Sequence, residues 1–244
     1  MPAIGITGGI STGKTTFCDC LRAILPAAIF FNADQAARDL TERDPEVRDL
    51  IKREFGPAIY SENGHLNRAQ IRSIVFADAE KKRALEQILH PRIRRQWSLE
   101  AESHRNSAEL FFADIPLLYE TGGETLCDRV VVVACSPGLQ LERLMQRARL
   151  LEGRASPGAE RGQASLELRP PLDEMSAQQI IDAQMPLTEK IGRADHVVWN
   201  NGGRDVLKEQ ARLLVEFWRD WRRPSHEFGT PSGRPSNLNS DERK

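Results

Sequence analysis

Five short apolar runs mark the chain: Ala3–Thr7, Ala27–Phe31, Leu110–Asp114, Arg129–Ala134 and His196–Trp199. Each is too short for a helix and is bounded by polar or turn-forming residues, which predicts strands. In the fourth, Val130 to Val133 stand unbroken. A strand with one wet face alternates apolar and polar residues. An unbroken run is expected of a parallel strand covered by helices on both faces. Helical spacing fills the intervals. Phe17, Leu21 and Leu25 lie four apart after the first run, and Val206, Leu207, Leu214, Phe217 and Trp218 mark a helix after the last. Strands alternating with helices predict an α/β fold around a five-stranded parallel sheet.

The interval between the second and third strands is far too long for a loop. From about Ala36 to about His104 it is helical in pattern and dense in Arg and Glu, with breaks at Pro45, Gly56–Pro57 and Gly64. It predicts an inserted helical subdomain. Leu89-His90-Pro91 within it reads as a further helix break, because proline disfavours helix at the residue before it. Gly153–Pro171 is rich in Gly, Ser, Pro and Arg and predicts a mobile surface excursion. The stretch from Pro224 to Lys244 has almost no large apolar residues and predicts a disordered tail.

Charge narrows the choice of partners. There are 34 basic and 35 acidic side chains, a net charge of −1, so the basic excess expected of a nucleic-acid binder is missing. An anionic ligand must then be met by a local cluster of Arg, Lys and backbone N–H groups. No apolar stretch approaches a membrane span, and no secretory signal opens the chain. Cys18, Cys20, Cys127 and Cys135 form neither a C-x-x-C pair nor a zinc spacing. They read as free thiols and fit a reducing cytoplasm. The oligomeric state is not set by any feature, and a monomer is compatible with all of them.

The decisive feature is Gly8-Gly9-Ile10-Ser11-Thr12-Gly13-Lys14-Thr15, a complete G-x-x-x-x-G-K-[ST] string. ATP presents closely spaced anionic oxygens, which only exposed backbone N–H groups can approach several at a time. Gly8 and Gly13 allow the backbone conformations this needs. The helix that follows aims its free N–H groups and positive dipole end at the phosphates. Lys14 reaches the β- and γ-phosphates, and the Thr15 hydroxyl can ligate Mg²⁺. Strand before and helix after are what the string requires to be more than a glycine-rich turn.

Other candidates surround it. Asp34 follows the second strand, where ligands bind in doubly wound sheets, and can accept the acceptor hydroxyl's proton. Equally, it can cap a helix beginning near Gln35. Asp114 ends the third strand like a Walker-B acid that orients Mg²⁺ or its waters, or it too is a cap, with Pro116 close behind. Arg143 and Arg147 share a helix face, and Arg147 can close over the phosphates. In the helical insert, Arg68, Arg72, Arg92, Arg94 and Arg95 can meet an anionic acceptor, though most such charges are solvated surface. His90 is structural or touches substrate.

These segments together resemble the dephospho-CoA kinases. The resemblance is carried by TGGISTGKTT at the loop, NADQAAR at Asn32–Arg38, GHLNRAQIRSIVFAD at Gly64–Asp78 and LEQILHPRIR at Leu85–Arg94. It continues through DIPLLYETG at Asp114–Gly122, DAQMPLTEK at Asp182–Lys190 and ADHVVWNNG at Ala194–Gly202. It implies a P-loop kinase fold with a core at 1–35, 108–147 and 189–222, a helical acceptor subdomain at 36–107 and a lid at 148–188. A disordered tail at 223–244 follows. It further implies transfer from MgATP to the ribose 3′-hydroxyl of dephospho-CoA, with Asp34, Lys14 and Arg147 catalytic. Nucleotide contacts fall on Gly9, Ile10, Ser11, Thr12, Gly13, Lys14, Thr15, Thr16 and Asn201, acceptor contacts on Arg72, His90, Arg94 and Asp114, and Mg²⁺ on Thr15 through ATP.

Three departures from the family pattern stand out. Ser11 replaces a glycine of the loop. Asn32 replaces the first acid of a D-A-D string and cannot serve as a base. Gly153–Pro171 is an insertion in the lid and makes Arg154, Arg161 and Arg169 rivals to Arg147. Two other functions share the scaffold: a nucleoside or nucleotide kinase, and a nucleotide-binding switch without an acceptor.

Overall fold

The computed structural model describes residues 3–104, 109–152 and 172–221. The expectations for Gly153–Pro171, for Arg154, Arg161 and Arg169, and for the tail at 223–244 lie outside the described residues.

Five strands form one all-parallel sheet in the order β2-β3-β1-β4-β5. They are β1 (Ala3–Gly8), β2 (Ile29–Asn32), β3 (Phe111–Asp114), β4 (Arg129–Ala134) and β5 (His196–Trp199). The five runs read from the sequence are these strands. The second begins later than expected, because Leu25 to Ala28 turn on an Ala28 N–H to Leu25 carbonyl bond before the strand starts.

The unbroken apolar runs divide by period two. Ile4, Ile6, Val131 and Val133 face helix α1 (Lys14–Ile24) and helix α9 (Arg204–Trp221), where Phe17, Leu21 and Trp218 are buried. Ala3, Phe111, Ala113, Val130 and Val132 face the other layer, which includes Trp97 and Ile191. Burial on both sides of β4 is therefore the reason its sequence lacks alternation. In α9 the buried stripe is Leu207, Ala211, Val215 and Trp218; Val206 and Phe217, expected inside, are more than half exposed. Two residues of that expected face thus lie off the stripe, which follows steps of four, four and three.

The insert has its own small core. Helix α2 (Ala33–Arg43), α3 (Pro45–Phe55), α4 (Arg68–Ala77) and the 25-residue α5 (Ala79–Ser103) close around Leu40, Val47, Ile51, Ile59 and Ile71. Pro45 opens α3, with the Asp44 side chain accepting from Val47 N–H, and Asp78 caps α5 in the same way. The break expected at His90-Pro91 does not occur: α5 runs through it. Packing of the α5 face, with Leu85, Ile88, Leu89 and Ile93 against the insert's core, offsets the bond that Pro91 cannot make to the Gln87 carbonyl. Helix α6 (Pro137–Glu152) follows β4, and α7 (Glu174–Asp182) and α8 (Leu187–Arg193) precede β5.

Candidate active site

The phosphate loop connects β1, central in the sheet, to α1. Gly13 has φ +98°, and a Cβ there would lie 2.0 Å from Asn200 Nδ2. Only glycine fits that position. The space is taken by Asn200, whose Nδ2 donates to the Thr12 carbonyl at 2.9 Å. Thr12 is fully buried and donates from Oγ1 to the Gly9 carbonyl at 2.9 Å. Gln140 Nε2 donates to the Ile10 carbonyl at 2.9 Å, and Ile10 N–H donates to Gln184 Oε1 at 2.9 Å. Carbonyls of the loop are thus turned back into the protein. The first turn of α1 contains no acidic residue, so its free N–H groups offer uncompensated positive charge.

Those N–H groups border a cavity of about 490 Å³ lined by Ile10, Ser11 and Gly13 to Thr16, with Asp34, Arg143 and Arg147 across from them. The Arg143 guanidinium is anchored by donation to the Asn200 carbonyl at 2.9 Å. Arg147 is exposed on α6. Ser11, the departure in the loop, has φ +59°, and its Oγ is buried with no hydrogen-bond partner among the described residues.

A second, more apolar cavity of about 640 Å³ lies between α2, α5 and the segment after β3. His90, Arg94 and Trp97 of α5 line it, as do Ile115 to Leu117 and Glu120. Burial lowers the His90 pKa, which favours the neutral ring. Arg94 is held by the Thr121 carbonyl at 3.0 Å. Three residues line both cavities: Asp34, Pro116 and Gln184. They form the boundary between the two cavities.

Asp34 is the second residue of α2 and not its cap. The cap is Asn32, whose Oδ1 accepts from Gln35 N–H at 2.8 Å. The Asn32 Nδ2 donates to Asp114 Oδ2 at 3.0 Å. Asp114 precedes no helix, so it caps nothing either. Its carboxyl is buried, with Oδ1 unpartnered among the described residues. Burial raises its pKa, opposed first by Lys14 and reinforced by Asp34. An acid at position 32 would set a second carboxylate against it. The amide supplies a donor instead, which gives the departure at 32 a physical reason.

A family model described as dephospho-CoA kinase matches residues 2–172. The chain belongs to the dephospho-CoA kinase family. It is 34% identical to the dephospho-CoA kinase of Bacillus cereus over 216 residues, covering 88% of this chain and 96% of that protein. It is 39% identical to that of Anaeromyxobacter dehalogenans over 221 residues, covering 89% and 92%. A solved structure from Thermus thermophilus, TT1252, is 30% identical with a TM-score of 0.64, covering 88% of this chain and 97% of that one. The P-loop kinase fold of this dephospho-CoA kinase agrees with these likenesses.

Several candidates read from the sequence meet at the two cavities: Ile10, Ser11, Gly13, Lys14, Thr15, Thr16, Asp34 and Arg147 at the first, His90 and Arg94 at the second. Gly9 and Thr12 build the loop behind the surface. Arg72 does not join them; it is exposed on α4 and lines neither cavity. Asn201 also lines neither, and its Oδ1 accepts from Ser136 N–H at 2.8 Å. Its neighbour Asn200 is the residue on the loop. Gln140, Gln184 and Asn200 were not expected there, although Gln184 and Asn200 stand inside the matched strings DAQMPLTEK and ADHVVWNNG.

Proposed function

We propose that this dephospho-CoA kinase, which phosphorylates dephospho-CoA with ATP in coenzyme A synthesis, transfers the phosphoryl group to the ribose 3′-hydroxyl across the boundary of the two cavities. The observation that carries the reading is the shared lining by Asp34, among the described residues the one carboxylate that borders both the phosphate loop and the apolar cavity. In the transfer the bond from the γ-phosphorus to the β,γ-bridging oxygen breaks, and a bond from the acceptor oxygen forms. ADP takes the electron pair of the broken bond, and Asp34 takes the hydroxyl proton. The loop N–H groups and Lys14 hold the triphosphate, and Arg147 neutralises charge on the moving group. The apolar cavity receives the acceptor, with His90 and Arg94 at its wall.

The donor set also fits Mg²⁺. Such an ion keeps several waters and needs only one or two protein oxygens beside the nucleotide phosphates. The Thr15 hydroxyl and the unpartnered Asp114 Oδ1 supply them. Bound there with ATP, Mg²⁺ would neutralise phosphate charge. The proposed division follows the same lines: core at 1–35, 108–147 and 189–222, acceptor subdomain at 36–107 and lid at 148–188. Among the described residues no helix is long and apolar enough to cross a membrane. Four free cysteines fit a reducing cytoplasm.

The test is ADP release by the purified chain with dephospho-CoA as sole acceptor, nucleosides and nucleoside monophosphates run beside it, and phosphorus NMR locating the new phosphate. Product at the 3′ position with inert nucleosides is expected. Turnover on nucleosides alone would favour a nucleoside kinase, and acceptor-independent hydrolysis alone a nucleotide switch.

A further inference from the structure

Gln184 stands between α7 and α8, far in sequence from the loop it touches. Its Oε1 accepts from Ile10 N–H at 2.9 Å, yet it also lines the apolar cavity beside Asp34 and Pro116. Its Nε2 has no protein partner among the described residues, in a half-buried position.

The backbone that carries it is fixed. The next residue, Met185, donates its N–H to Glu120 Oε1 at 3.2 Å. The same carboxylate pairs at 2.8 Å with Lys190 Nζ, whose side chain is fully buried. Lys190 donates in turn to the Pro116 carbonyl at 3.0 Å, which also accepts from Thr7 Oγ1 at 2.9 Å. Two of the three boundary residues are thus tied to one another through Glu120 and Lys190. An ion pair whose lysine is fully buried, and which also binds the Pro116 carbonyl and the Met185 N–H, gives a rigid support. Such rigidity is what a donor needs if it is to act on a moving charge without reorganising.

The arrangement divides the carboxamide into two halves. The oxygen is committed to the phosphate loop. The nitrogen is a donor left at a boundary where the incoming group is anionic and in flight. We propose that Gln184 is a catalytic residue of phosphoryl transfer, its Nε2 donating a hydrogen bond to an oxygen of the transferring phosphoryl group while its Oε1 holds the Ile10 N–H. The proposal rests on the kinase reading above.

The test separates the two halves. Gln184→Glu keeps an oxygen for Ile10 N–H but replaces the donor with an anionic oxygen. If Gln184 only braced the loop, the new carboxylate would weaken ATP binding by charge repulsion and raise its KM, with kcat at saturating ATP little changed. With the donor role, kcat at pH 8 falls by at least about tenfold, while the KM for ATP changes by less than about threefold. The variant-to-wild-type kcat ratio then climbs as pH is lowered towards 6, because the carboxyl that binds a proton regains an O–H donor. Gln184→Met, of similar size and without a donor, loses kcat at every pH with no such recovery. Wild-type kcat in Gln184→Glu overturns the proposal, and so does a loss that ignores pH. Should Gln184→Glu fail to fold, Gln184→Met overturns it with wild-type kcat or with a loss confined to the KM for ATP, as a lost brace on Ile10 would give, and supports it with lowered kcat at an unchanged KM. A wild-type chain inert towards dephospho-CoA would instead defeat the kinase reading, so the two failures are distinct.

Discussion

The phosphate loop and the transfer boundary are neighbours built in opposite ways. The loop takes its anion-binding groups from consecutive residues, Gly8 to Thr15, and uses mostly backbone. The boundary takes one residue from each of three distant segments, Asp34, Pro116 and Gln184, two of which are tied at the backbone by the Lys190–Glu120 ion pair. A loop of amides can present several donors to one phosphate because their spacing is fixed covalently. It cannot move a proton, because amides do not titrate near neutral pH. The boundary can, but it must be assembled by the fold. On the proposed reading, binding is therefore local in this molecule and acceptor chemistry is not.

The sharpest way to break that contrast is to remove the one side chain that completes the loop. Lys14→Ala should lower kcat by about a thousandfold, the loss typical when a preorganised charge donor is deleted from a transition state. Steady-state ADP release measures it. Retained turnover would mean that the amides suffice and the lysine is ornamental.

On the other side, the support of the boundary is open to attack without touching substrate. Lys190→Met removes a fully buried ammonium and leaves a partly exposed Glu120 carboxylate unpaired, and should cost about 1.5–3 kcal/mol in denaturant unfolding, the scale of a lost hydrogen bond to a charged group. The double variant Lys190→Met, Glu120→Leu should recover much of that stability, since a packed apolar pair can replace a buried ion pair. If the Pro116–Gln184 link matters for chemistry, kcat will stay low in the double variant even as stability returns. Recovery of both would make the pair purely structural.

The same contrast explains what could be read from the chain alone. The strands and the loop were legible, because a five-residue apolar run and a fixed glycine spacing are local signals. The donor half of Asn32 was not. Its cap on Gln35 is local, but its role as donor to Asp114 depends on β2 and β3 lying side by side, which no spacing reveals. Asn200 and Gln184 were hidden for a like reason: each stands more than a hundred residues from the loop carbonyl or N–H it binds. Pro91 misled in the other direction. Proline is a strong local signal for a break, and tertiary packing of α5 overrode it.

Asp34 is the point at which the two regions meet, and it carries a carboxylate. Asp34→Asn preserves size and polarity but not basicity, so kcat should fall by about a hundredfold with the affinity for ATP unchanged. Calorimetry of nucleotide binding beside steady-state kinetics checks both halves of that statement. An equal loss of affinity would place Asp34 in binding instead.

The smallest effect is expected where the loop departs from its family. Ser11 carries a side chain at φ +59°, a left-handed conformation that costs a non-glycine residue roughly 1–2 kcal/mol. Its Oγ is buried without a partner among the described residues, a further penalty. Ser11→Gly removes both but loses more backbone entropy on folding, about 0.5–1 kcal/mol. The balance is a gain of about 1 kcal/mol in the nucleotide-free protein, or a rise of roughly 2–4 °C in Tm for a domain of this size. Thermal unfolding with and without MgATP sharpens the reading. If the hydroxyl finds a phosphate oxygen when nucleotide is bound, the orphan penalty disappears in the wild type and the advantage of the glycine variant shrinks. An advantage of the same size in both conditions would leave Ser11 as strain alone, with the phosphates served by the amides and Lys14.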